Sequence, residues 1–177
     1  MNSVEPIRNP QKIREIQEAL EKKSVRDRVL FDIGITTGLR VSDILPLTVG
    51  DVRGKTELTL TEKKTERSVT VDITGMVEEL MQYTQGMGDA EYLFPSRRGG
   101  SPITRVQAYR IISEAAKAAG LGEIGTHTMR KTFAHNNWKT DCAKVEKQLN
   151  HKPDSSILMY LGITEADIDE ALADFEL

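Results

Sequence analysis

The sequence predicts a mainly α-helical domain with one small antiparallel β-sheet, an α+β arrangement. Three observations carry this. Most of the chain repeats its apolar residues every three or four positions, the spacing of one helix face. A single stretch between residues 56 and 73 changes to period two, the spacing of a strand. No internal repeat or low-complexity linker divides the 177 residues, a length that suits one domain with a real core.

Taken in order, Asn9-Pro10 followed by QKIREIQEALEKK predicts a first helix with Ile13, Ile16 and Leu20 on its buried face. Ser24 is placed to cap a second helix through VRDRVLFDIGITTG, which Gly38 stops. Ser42 is placed to cap the short segment SDILPL. TELTL, EKKTER and SVTVDI then form a hairpin, with Leu58 and Leu60 on one arm and Val69, Val71 and Ile73 on the other. Helical spacing returns at Met76, Val77 and Leu80. EYLFPSRRGGSP reads as a loop by its Pro and Gly content. The Ala-rich segment ITRVQAYRIISEAAKAAG is a helix closed by Gly120, and another begins at Thr126 in THTMRKTFAHNNWK. DCAKVEKQLN places Cys142, Val145 and Leu149 at core spacing, and Ile168, Ala171, Leu172 and Phe175 make the acidic end an amphipathic helix.

Composition excludes several classes of function. One cysteine, Cys142, permits no internal disulfide framework, and three histidines show no zinc spacing. No apolar run reaches membrane-spanning length and the N-terminus lacks the apolar centre of a signal peptide, so a cytoplasmic, metal-free protein is expected. The net charge of −3 hides an asymmetry. Six acids and no base lie between Thr164 and Leu177, so residues 1–163 carry +3. That excess permits a nucleic-acid partner without requiring one.

Four places carry residues suited to phosphate chemistry. His127 and Arg130 lie three apart at a helix start, where free N–H groups and the dipole favour an anion. Arg40 follows the Gly38 turn, with Asp43 placed to orient it, and a second guanidinium there could share the anion with Arg130. Lys63 and Lys64 occupy the hairpin tip, from which a lysine can protonate a leaving oxygen. Tyr160 is either a core aromatic among Leu158, Met159 and Leu161 or a nucleophile whose phenolate needs nearby cations; His151 precedes it across Pro153. Taken singly, each charged motif more often marks a solvated surface than a site, and Tyr160 has an ordinary core reading.

Their order is more specific than any one of them. TTGLRVSDILPLTVGDV, KKTERSVTVDI, HTMRKTFAHN and LNHKPDSSILMYLGI resemble, in sequence order, the first arginine box, the lysine hairpin, the His-x-x-Arg box and the closing His-to-Tyr box of the tyrosine recombinases, the phage-integrase family. The resemblance runs from about residue 5 to 165. It implies the tyrosine recombinase catalytic-domain fold over residues 1–163, with an acidic C-terminal helix over 164–177. It implies the catalytic set Arg40, Lys64, His127, Arg130, His151 and Tyr160, with Lys64 preferred over Lys63 because Thr65 follows it as in the family's Lys-Thr pattern. It further implies duplex DNA as partner, a 3′-phosphotyrosine intermediate, no cofactor or metal, and self-association as a tetramer on DNA in which the acidic helix could dock in trans; by sequence alone, docking of that helix on its own domain is an equal alternative.

Some features depart from the family pattern. The first arginine box stands too near the N-terminus for the family's usual DNA-clamping domain, which suggests a catalytic fragment or a minimal recombinase. Lys131 replaces a frequent histidine and is expected to add a phosphate contact; Asn150 replaces a frequent glycine. Two other functions use parts of the same set: a type IB topoisomerase-like nicking-closing enzyme, and a DNA-binding regulator that keeps the fold without turnover.

Overall fold

The computed structural model describes residues 5–122 and 124–138, together with residues 140 and 145. Seven helices and one hairpin are formed within this part. Helix α1 (Pro10–Glu21) starts as its sequence dictates: the Asn9 side chain accepts from the Gln11 N–H, and Pro10 occupies the first turn, where no donor is needed. Its Ile16 and Leu20 are fully buried. Helix α2 (Val25–Thr37) has Ser24 at its N-cap, but the serine side chain makes no capping bond. Its end is decided by Gly38, which takes the left-handed conformation at φ 64°.

Two short helices follow, α3 (Val41–Ile44) and α4 (Val49–Val52). The α3 N-cap is Arg40, not the expected Ser42, so the helix begins two residues earlier and the arginine stands at its mouth. Helix α4 was not foreseen; a four-residue helix has too little periodicity to stand out, and Asp51 secures it by accepting from the Thr48 N–H at 2.7 Å.

Strands β1 (Glu57–Thr61) and β2 (Ser68–Asp72) pair antiparallel, with Leu58 opposite Val71 and Leu60 opposite Val69. These four residues face the protein while Thr59 and Thr70 face outward and bond to each other at 2.8 Å, so the period-two reading placed the right face inward. A 3-10 turn (Thr74–Met76) leads into α5 (Val77–Tyr83). The Pro- and Gly-rich stretch after it is more ordered than its composition suggests. Leu93 and Phe94 are fully buried, Leu93 N–H donates to the Leu47 carbonyl, and Pro95 and Pro102 bridge across the tight turn that exposes Arg97 and Arg98. Helix α6 (Arg105–Ala118) opens with a reciprocal Thr104–Gln107 capping box, and α7 spans Thr126–Trp138.

Two main clusters form the core. One gathers α2, α3, α4, α5 and the inner hairpin face, including Leu30, Leu58, Val71 and Phe94. The other joins α1 to α6 through Ile16, Leu20, Ile112 and Ala116, with Phe31 and Met129 between them. Each fully buried large side chain of this kind contributes roughly 1.5–3 kcal/mol. A smaller cluster holds Phe133, Ala134 and Val145. Val145 is the one described member of the core set expected over residues 141–150; Cys142, Leu149 and the amphipathic end lie outside the described residues.

The contact that positions the candidate site is α2 against α7. Gly34 and Gly38 lie one helical turn apart, and a Cβ at Gly34 would stand 2.6 Å from Met129 Sδ. At Gly38 a side chain would collide with the Phe133 ring, and its left-handed backbone already excludes most residues. Two bare positions therefore let α7 settle directly on the end of α2.

Candidate active site

That close approach builds the centre of the site. Because α7 packs on Gly38, the side chain of Arg130 reaches the Gly38 carbonyl and donates to it from Nη1 at 2.6 Å. Arg130 is only 3% exposed, so its orientation is set by the core. Two residues after Gly38 the chain presents Arg40, whose side chain is 22% exposed. One glycine thus fixes both arginines: its carbonyl holds one, and its left-handed turn aims the other.

His127 lies on the exposed first turn of α7. Lys63 and Lys64 are exposed in the turn between β1 and β2. Arg40, Lys63, Lys64, His127 and Arg130 all line one open groove of about 1010 Å³. Its far wall is the start of α6, where Arg105 lies beside the exposed Val106 and Tyr109. Among the described residues no acidic side chain lines it, so its described wall presents positive charge to an anion. A second groove of about 990 Å³ continues past the shared residues Pro102, Ile103 and Thr104. There Lys23, Arg26, Arg97, Arg98 and Arg110 outnumber Asp27 and Glu114. The negative net charge of the chain therefore conceals a basic face.

The orienting acid differs from the one expected. Asp43 was placed to hold Arg40, but its Oδ1 accepts from the Lys63 backbone N–H at 3.0 Å. Arg40 instead pairs through Nη1 with Glu62, which is 0% exposed. Glu62 also accepts from the Thr65 hydroxyl at 2.7 Å. Spacing along a helix suggested Asp43; the structure shows that the partner comes from the hairpin, 22 residues away. A signal for Glu62 does exist in the sequence, since it continues the inward-facing series Leu58, Leu60 and is the one charged residue in it. The basic and aromatic start of α6 carried no such signal, because amphipathic helices often expose mixed residues.

Lys131 does not behave as expected either. It is 7% exposed and is not part of the groove wall. His151 and Tyr160 lie outside the described residues, as does Asn150. Among the described tyrosines, Tyr83 is the structural kind. Its hydroxyl donates to the Leu93 carbonyl at 2.6 Å, and burial pushes its pKa up to about 12, far from a nucleophile's needs. Among the described residues no cluster of His, Cys, Asp or Glu could hold a metal ion, and no helix is long and apolar enough to cross a membrane.

Comparison with known proteins identifies the family and the fold. The model of the phage integrase family matches residues 9–166. "Probable integrase/recombinase YoeC" of Bacillus subtilis (strain 168) is 46% identical over 168 residues, covering 93% of each chain. Tyrosine recombinase XerD of Corynebacterium glutamicum is 27% identical over 156 residues, 82% of this chain but 51% of that protein. The chain thus spans nearly all of the first relative and about half of the second. Among solved structures, the XerA recombinase superposes with a TM-score of 0.80 at 18% identity, over 100% of this chain and 66% of the other. Lambda integrase (residues 75–356) bound to DNA gives a TM-score of 0.71 at 20% identity, over 92% and 61%. The fold is that of the catalytic domains of tyrosine recombinases, and the chain belongs to the phage integrase family.

Proposed function

We propose that this chain is a site-specific DNA recombinase or integrase that cleaves and rejoins duplex DNA through a 3′-phosphotyrosine on Tyr160. The observation that carries this reading is the meeting of Arg40, Lys64, His127 and Arg130, from three separate stretches of sequence, along one groove with no acid among its described lining residues. A phosphodiester laid in that groove finds two guanidinium groups suited to its non-bridging oxygens. As the tyrosine oxygen attacks, phosphorus becomes five-coordinate and gains negative charge; Arg40 and Arg130 stabilise that charge from fixed positions. His127 assists removal of the phenolic proton and His151 hydrogen-bonds the phosphate. Lys64 donates a proton to the departing 5′ oxygen. The bond to Tyr160 replaces the broken phosphodiester, so a 5′-hydroxyl from another duplex can reverse the step without an external energy source. Side-chain cations thus fill the role of a Lewis acid, and the reaction proceeds without a metal.

The flanking DNA backbone runs along the start of α6 towards Arg97, Arg98 and Arg110, extending electrostatic grip beyond the scissile phosphate. Lambda integrase has been seen as a tetramer bound to a Holliday junction. By analogy this chain assembles on DNA, and its segment 164–177 docks on a neighbouring subunit as an amphipathic helix.

The test mixes the protein with nicked duplex fragments from its source genome and seeks an adduct that survives SDS, with chelator present throughout. Native protein is expected to form one and Tyr160→Phe to form none. DNA binding by both without an adduct would leave a binder without turnover. Strand exchange between two trapped duplexes separates a recombinase from a topoisomerase-like enzyme.

A further inference from the structure

We infer that Glu62 is a positioning residue that couples Arg40 to the lysine turn, so that the proton donor is registered on the phosphate that the arginine holds. The inference rests on the proposed recombinase reading. A carboxylate with 0% exposure is costly unless it is fully engaged, and Glu62 is engaged on every side. One oxygen pairs with Arg40 Nη1 and the other accepts from Thr65 Oγ1 at 2.7 Å. Its backbone N–H donates to the Arg67 carbonyl at 2.9 Å, and its own carbonyl accepts from the Glu66 N–H at 2.9 Å. Each of these bonds ends either on Arg40 or on the turn that carries Lys64.

Apart from Glu62, the hairpin tip meets the arginine segment through the bond from Lys63 N–H to Asp43, which touches no guanidinium. With Glu62, the two functions move as one piece. Arg40 keeps further N–H donors that have no partner among the described residues, so the carboxylate holds one corner of the fork and leaves others for phosphate. The arrangement has a cost that exposes its purpose. A buried negative charge beside an anion site weakens anion binding, so Glu62 does not serve affinity. A group that sacrifices affinity to hold geometry should act on the chemical step.

The experiment uses single-turnover cleavage of two nicked duplexes, one with the ordinary 5′-bridging oxygen and one with sulfur at that position. Sulfur leaves as a thiolate and needs no proton, so it bypasses the lysine turn. Glu62→Gln, close to isosteric, is expected to bind DNA at least as tightly as the native chain yet cleave the oxygen substrate about 10- to 100-fold more slowly, the cost of a misplaced group. On the sulfur substrate it should recover to within about 3-fold of native, as Lys64→Ala should. Thr65→Ala, which loosens the turn without touching Arg40, should show a smaller loss with the same rescue. Equal slowing on both substrates, or no slowing on either, overturns the inference. Should Glu62→Gln fail to fold, the Thr65→Ala result decides alone. A native chain that forms no Tyr160-dependent adduct overturns the recombinase reading itself, which is a different result from native cleavage without the substrate-dependent contrast.

Discussion

The two halves of the candidate site are built in opposite ways. At the junction of α2 and α7, glycine packing places Arg130 inside the protein at 3% exposure, bonded to a backbone carbonyl. At the hairpin, Lys63 and Lys64 stand exposed on the turn between two paired strands. Charge stabilisation benefits from groups that need no reorganisation during the reaction, which a core supplies. A proton donor has to reach a leaving atom and withdraw, which suits an exposed arm. Glu62 is where the two designs meet, because it belongs to the hairpin and bonds to the arginine.

This contrast can be broken or sharpened by substitution. The largest effect is expected at Arg130: Arg130→Ala should slow cleavage by about 10²–10³-fold or more and also lower stability by about 3 kcal/mol, since it strands the Gly38 carbonyl and opens a cavity. Lys64→Ala should slow cleavage of an oxygen-bridged substrate by about 10²-fold while leaving the thermal midpoint unchanged. A matching loss of stability in Lys64→Ala would mean that the hairpin tip is as deeply integrated as the interior. Gly38→Ala tests the interior from the other side. The left-handed backbone costs about 1–2 kcal/mol for alanine, and collision with Phe133 adds to it, so thermal unfolding should move down together with DNA cleavage.

A smaller effect is expected on the far face of α2. Glu79 is pushed up to about 7 by burial, and by the nearby charge and hydrogen bond of Asp32, against the opposing pull of Arg28. Its neutral form therefore suits the fold. The stability it contributes is full below about 4.5, its ordinary value, and is lost as pH rises through about 7. Glu79→Gln should consequently raise the thermal midpoint at pH 8 and change it little at pH 4.5. The smallest effect is expected at Glu66, which holds a left-handed φ of 55° in the lysine turn. Glu66→Gly relieves that strain but frees the unfolded chain, so a net gain below about 1 kcal/mol is expected in chemical denaturation.

Much of the architecture was legible in the linear chain. The helix from Pro10, the Gly38 stop, the hairpin face and the α6 start all follow from periods and caps that act within a few residues. The ordered boxes around Arg40, Lys64, His127 and Arg130 were legible for the same reason, since each box is local. Short elements and loops were not: α4 is too brief to show a period, and Leu93 and Phe94 become core only because the chain from Leu47 folds against them.

Determined by the sequence alone, then, are the element types, the order of the charged boxes and the family resemblance, because local spacing and turn chemistry encode them. Tertiary structure decided the rest. It put α7 on two glycines at the end of α2, gave Arg40 to Glu62 in place of Asp43, buried Lys131 and lined two adjoining grooves of a net-acidic chain with basic residues. Those outcomes depend on which distant surfaces fill one another's space and satisfy one another's buried charges, and no local period specifies them.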